Sequence, residues 1–115
     1  MQDNTTQRPL RVLFVCSANM DRSPTAENFC NKICGFQAKS AGTATYARIK
    51  ITQDLIKWAD IIIPMEEKHK ETIIEMVAES KNKISVLNIP DIYHYEQTEL
   101  INILQKELQF LFHEI

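Results

Sequence analysis

Apolar and polar residues fall into short blocks along this chain. Their spacing switches between unbroken runs, typical of buried strands, and the three- and four-residue repeat of helices. Arg11 to Val15 is a continuous apolar run rich in Val and Leu, which suits a strand covered on both faces. From Ser23 to Cys34 the pattern turns helical, with Ala26, Phe29, Cys30, Ile33 and Cys34 on one side. Ser23 is placed to cap that helix, Pro24 suits its first position and Gly35 its end. Phe36 to Gly42 reads as a second strand and Thr43 to Lys50 as a loop. Thr52 opens a short helix through Ala59. Ile61-Ile62-Ile63 forms a third buried strand closed by Pro64. Glu66 to Glu79 is helical, with Ile73, Ile74, Met76 and Val77 inward. After the polar turn Ser80 to Lys83 comes a fourth strand, Ile84 to Ile89. A loop from Pro90 to Gln97 leads into a last helix, which Thr98 caps and which carries Leu100, Ile101, Leu104, Leu108 and Leu111.

The order β-α-β-α-β-α-β-α predicts an α/β fold, a parallel sheet with helices on both faces. Ligands of such folds bind beyond the carboxyl ends of the strands, and Cys16 stands at that end of the first one. The 115 residues, 44% of them hydrophobic and 24% charged, suit one globular domain. We expect a flexible polar tail over residues 1 to 9 and a single domain over 10 to 115. The net charge of −2 argues against nucleic acid as the main partner. No stretch suggests a membrane partner, and the polar start does not read as a secretory signal. Three cysteines without a disulfide pattern point to the cytoplasm. Cys30 and Cys34 share a helix face and are expected to be core residues.

The segment CSANMDR, Cys16 to Arg22, carries the chemistry. A loop leaving a strand and entering a helix can turn several N–H groups inward, with the positive end of the helix dipole behind them. Arg22 adds a planar fork suited to two phosphoryl oxygens. Such a field favours the thiolate of Cys16, a nucleophile under a bound phosphate. On residue type alone, Asp91 after Pro90 reads as a turn residue.

VCSANMDRSPTAE resembles the signature of the low-molecular-weight protein tyrosine phosphatases: a cysteine, five residues, an arginine and Ser or Thr. Asn19, Ser23, Pro24, Ala26 and Glu27 also stand where that family has them. Ser40-Ala41-Gly42-Thr43 resembles the end of its second strand, Ala59-Asp60 with Met65 its third-strand segment, and Ile89-Pro90-Asp91-Ile92-Tyr93 its acid loop. The resemblance implies a three-layer α/β/α fold with a four-stranded parallel sheet in the order 2-1-3-4. It also implies a phosphomonoester hydrolase working through a phosphocysteine. Cys16 would be the nucleophile, Arg22 and the N–H groups of residues 17 to 22 the oxyanion holders, and Asp91 the acid and then the base. Ser17, Ala18, Asn19, Met20, Asp21 and Ser23 would bind or order the phosphate, with Tyr46 and Tyr93 at the cleft. Ser23 would hydrogen-bond the sulfur, and Asn19 would take a left-handed backbone conformation.

No metal or cofactor is implied. The expected partner is a phosphorylated protein or a small aryl phosphate, and the expected state a monomer or weak dimer. The chain departs from the family pattern in three places. Asp21 replaces a frequent second cysteine that can guard the nucleophile, Ala18 a Gly, and Ile92 the Pro after the acid. Met20 stands where relatives acting on phosphoarginine tend to carry Thr, which leans towards aryl phosphates. Two other readings fit the same loop: a non-catalytic phosphate-binding module, and a thiol enzyme of the arsenate-reductase kind.

Overall fold

The computed structural model describes residues 8 to 113. Of the expected tail, residues 1 to 7 lie outside the described residues, while Arg8 is paired with Asp60 at 2.6 Å. The central strand β1 (Arg11–Cys16) lies between β2 (Gln37–Gly42) and β3 (Ile61–Pro64), both parallel to it, in the order β2-β1-β3. Side chains alternate across a strand, so β1 divides the core in two. Val12, Phe14 and Cys16 join Ala26 and Cys30 with Leu100, Leu104 and Leu108. These come from the side of α1 (Arg22–Phe29) and α4 (Thr98–Phe112). Leu13 and Val15 join Ile56 of α2 (Gln53–Trp58) and Ile73 of α3 (Glu67–Met76) on the other face. Burying each such side chain is worth about 1.5–3 kcal/mol. The three-layer α/β/α arrangement is therefore present. Among the described residues no helix is long and apolar enough to cross a membrane.

The fourth strand needs correction. Residues 84 to 89 run beside β3, and the N–H groups of Ser85, Leu87 and Ile89 reach the carbonyls of Ile62, Pro64 and Met65 at 2.9, 3.1 and 2.9 Å. Only Ile84 forms a bridge, with Ile62. Two features stop a regular strand. Pro64 has no N–H to return to the ladder, and Asn88 sits at φ 61°, which ends the extended run. Among the described residues the sheet thus has three strands, with an irregular fourth segment where the order 2-1-3-4 would place one.

Helix limits also shift. α1 starts at Arg22, one residue before the expected Ser23 cap, and Pro24 lies in its first turn, where a missing N–H costs nothing. Beyond Phe29 the chain widens into a π-helical turn, Cys30–Cys34, and stops at Gly35 with φ 73°. That turn brings Asn31 against β2. Its side chain accepts the Ala38 N–H at 2.8 Å and donates to the Ala38 carbonyl at 3.1 Å. α3 ends at Met76, before the expected Glu79, and the polar turn is a 3-10 stretch, Ala78–Lys83.

Gly42, the last residue of β2, is where two loops meet. A Cβ there would lie 2.4 Å from the Ser17 carbonyl oxygen and 2.7 Å from Ala47 Cβ. Gly42→Ala should therefore cost about 1–3 kcal/mol by overpacking. An unchanged urea midpoint would contradict this.

Candidate active site

The loop after β1 is shaped from behind. The carbonyls of Cys16, Ser17 and Ala18 accept the N–H groups of Thr43, Ala44 and Arg48, each at 3.0 Å. The carbonyl of Asn19 accepts Arg48 Nε, also at 3.0 Å. A trans peptide points its C=O and N–H in opposite directions. Four carbonyls drawn back to residues 43 to 48 therefore turn the N–H groups of residues 17 to 20 the other way, into the concave side of the loop. Asn19 makes the bend with φ 56°, a left-handed conformation that Asn tolerates. The concave side encloses about 50 Å³, lined by Cys16, Ala18, Met20, Asp21, Arg22 and Asp91. That exceeds the roughly 10–15 Å³ that a cavity needs on this measure to hold one water molecule.

At the floor of this cup Cys16 Sγ lies 2.9 Å from Ser23 Oγ. The direction of that bond follows from its neighbours. Buried Asn19 donates one Nδ2 hydrogen to Ser23 Oγ and the other to Ser40 Oγ, both at 2.9 Å. Ser40 in turn donates to Glu27. A thiolate can only accept, and the other acceptor in reach of Ser23, the Ala41 carbonyl, is farther at 3.5 Å, so with Cys16 ionised the serine hydrogen goes to the sulfur. The same bond explains why Ser23 is inside the helix: its hydroxyl serves Cys16 instead of capping α1.

Arg22 closes the cup. It is 1% exposed, and Nη1 donates both to Glu66 and, at 2.7 Å, to the Ile89 carbonyl. Those contacts use Nη1 and leave the Nε–Nη2 edge of the fork without a hydrogen bond among the described residues. Nε is 3.7 Å from Asp91 Oδ1, whose side chain is 62% exposed. Burial opposes the ionisation of Glu66, but the hydrogen bond and charge of Arg22 outweigh it, helped by Lys68 and His69, and its carboxyl is held below the ordinary range.

His69, a residue the sequence did not single out, supports the cup from α3. Its Nδ1 accepts the Glu66 N–H at 3.1 Å, so the proton of the neutral ring is on Nε2, which donates to Ser17 Oγ at 2.9 Å. Burial, then the charge of Arg22, pushes the imidazole down from 6.5 to about 4; Lys68 adds to this, while Glu66 and Asp91 oppose it. The clue in the sequence was only a His at the third position of a helix after Glu66.

The remaining expected residues separate. Met20 is 61% exposed beside the cup and Tyr46 78% exposed on the loop behind it. Asp21, at the edge of the cup, accepts the Tyr95 N–H with its side chain at 2.9 Å. Tyr93 packs against the core cluster that includes α4. Tyr95, two residues on, instead lines a cleft next to the cup with Met20, Pro24, Glu27, Asn28 and Arg48. Cys30 is buried and Cys34 half-buried; burial pushes both thiols up, and the contact with Cys34 raises Cys30 further.

Comparison with known proteins places this geometry. Solved structures of low-molecular-weight phosphatases superpose on nearly the whole chain. The chain has the low-molecular-weight protein tyrosine phosphatase fold. The YwlE arginine phosphatase from Geobacillus stearothermophilus matches with a TM-score of 0.73 and 24% identity, over 92% of this chain and 95% of that one. Wzb from Vibrio vulnificus, in complex with benzylphosphonate, gives 0.76 and 20%, over 94% and 100%. The low molecular weight protein tyrosine phosphatase from Streptococcus pyogenes gives 0.76 and 21%, over 92% and 93%. In sequence, the protein-arginine-phosphatase of Geobacillus stearothermophilus is 28% identical over 103 residues, 69% of this chain and 70% of that relative. No protein-family model matches. The resemblance to phosphatases of this fold thus holds in both sequence and structure.

His69 gives the phosphatase fold a pH dependence. Its value is lower in the folded than in the unfolded chain, so its contribution is complete above about pH 6.5 and is lost as the pH falls towards 4. The urea midpoint should drop between pH 7 and pH 5, and His69→Asn should shrink that drop. An equal drop in both proteins would contradict the assignment.

Proposed function

We propose that this protein is a phosphomonoester hydrolase of the protein tyrosine phosphatase type, acting through a phosphocysteine. The observation that carries the reading is the cup itself: a cysteine sulfur accepting a serine hydroxyl, beneath inward N–H groups, with a guanidinium and a carboxylate at its mouth. The phosphoryl oxygens bind the N–H groups of the loop and the free edge of Arg22. Those donors are already aimed where charge gathers in the transition state. Cys16 Sγ attacks phosphorus as the ester P–O bond breaks. Asp91 gives its proton to the departing oxygen, then accepts one from the water that attacks the phosphocysteine. The P–S bond breaks, the thiolate returns to the Ser23 hydroxyl and phosphate leaves.

The relatives include enzymes named for phosphoarginine and for phosphotyrosine. Exposed Met20, Ile92 and Tyr95 supply apolar surface near the mouth, which suits an aromatic ring better than a second guanidinium. A phosphorylated protein or a small aryl phosphate is therefore the substrate class. The arsenate-reductase reading is weaker, because Cys30 and Cys34 are held as thiols in or near the core.

Purified protein should hydrolyse phosphotyrosine peptides in excess EDTA, faster than phosphoarginine peptides, with vanadate as inhibitor. Cys16→Ser should abolish turnover, and Asp91→Asn should lower kcat about 10²-fold or more. Turnover surviving Cys16→Ser would end this reading. Phosphate binding by the wild type without turnover on any phosphomonoester would make the protein a phosphate-binding module instead.

A further inference from the structure

Asp21 raises a problem that the reaction leaves unsolved: a carboxylate in an anion-binding loop should repel phosphate. Its side chain is used elsewhere. Oδ1 accepts the N–H of Tyr95 at 2.9 Å, across 74 positions of sequence. The next N–H, that of Glu96, donates to Thr25 Oγ1 at 2.9 Å, and Thr25 Oγ1 donates to the Asp21 carbonyl at 2.7 Å. Asn28, one turn further along α1, donates to Glu96 Oε2 at 3.0 Å and to the Tyr95 hydroxyl. Two consecutive N–H groups of the 90–97 loop are thus tied to the first turn of α1, with Glu96 at φ 61° making the bend between them possible.

The loop is tied at its other end too, because the Ile89 carbonyl accepts Arg22 Nη1. Asp91 lies on the span between these ties. Ile92 gives that span no fixed φ, and it is 70% exposed. Without the ties, the carboxylate would rest only on its 3.7 Å approach to Arg22 Nε.

We propose that Asp21 is a positioning residue for Asp91: by accepting the Tyr95 N–H it fastens the far end of the loop to α1 and so holds the proton donor over the cup. This rests on the phosphatase reading above.

Proton donation matters most when the leaving oxygen is strongly basic, and this separates positioning from general support. Asp21→Ala should lower kcat/KM on phenyl phosphate about tenfold, as expected for one lost hydrogen bond to a charged group. On p-nitrophenyl phosphate, whose phenolate leaves readily, the loss should be much smaller. Asp21→Asn keeps an acceptor and should rescue most of the loss. Thr25→Val, which removes the Glu96 acceptor, should repeat the pattern of Asp21→Ala. In hydrogen exchange, the amides of residues 95 and 96 should exchange faster in Asp21→Ala than in wild type, and slower again in Asp21→Asn.

Equal losses on both esters, or equal behaviour of Ala and Asn, would overturn the proposal. If the wild type hydrolyses neither ester, the phosphatase reading fails. Exchange then decides the fastening alone: faster exchange in Asp21→Ala supports it, and unchanged exchange overturns it.

Discussion

Everything at the reactive end depends on four backbone carbonyls being pulled away from the cup. Residues 43 to 48 hold those of Cys16, Ser17, Ala18 and Asn19, and peptide planarity converts that pull into inward N–H groups. The shape of the cup is therefore not a property of residues 16 to 22 alone. It is set by a second loop, residues 43 to 48, and the two approach so closely that Gly42 has no room for a Cβ.

A second constraint is the buried guanidinium. A charge removed from water is tolerable only with partners of good geometry, and Arg22 has Glu66 and the Ile89 carbonyl on one nitrogen. Glu66 in turn presents its backbone N–H to His69, which reaches Ser17. The start of α3 thus supports both ends of the cup. The arginine is held in place from behind while its other edge faces the cavity.

Much of this was legible in the sequence and some was not. The runs at Arg11–Val15 and Ile61–Ile63 gave buried strands because continuous apolar residues can only be satisfied on both faces. Cys16, Arg22 and Asn19 could be placed because they are local to one loop. The start of α1 was misjudged because Ser23 looks like a cap to a local rule, whereas a distant sulfur claims its hydroxyl. The fourth strand was overdrawn because the left-handed turn at Asn88 leaves no mark in a hydrophobic pattern. The roles of Glu66, His69 and Ser40 were hidden because they come from pairings across 21 to 52 positions. The resemblance put Tyr93 at the cleft, but which ring faces the core depends on the path of an irregular loop, and here Tyr93 packs inward while Tyr95 lines the cleft.

The amide of Asn31 has a consequence for how this protein behaves in a crowd. β2 is the outer strand of the sheet, and such a border offers free donors and acceptors to any passing chain. Asn31 occupies the N–H and C=O of Ala38 at once, imitating one residue of a neighbouring strand near the start of that border. Lys39, with its ammonium 4.6 Å from the centre of the Trp58 ring, sets a charge alongside. A single side chain from the widened turn after α1 thus discourages self-templated stacking into fibres.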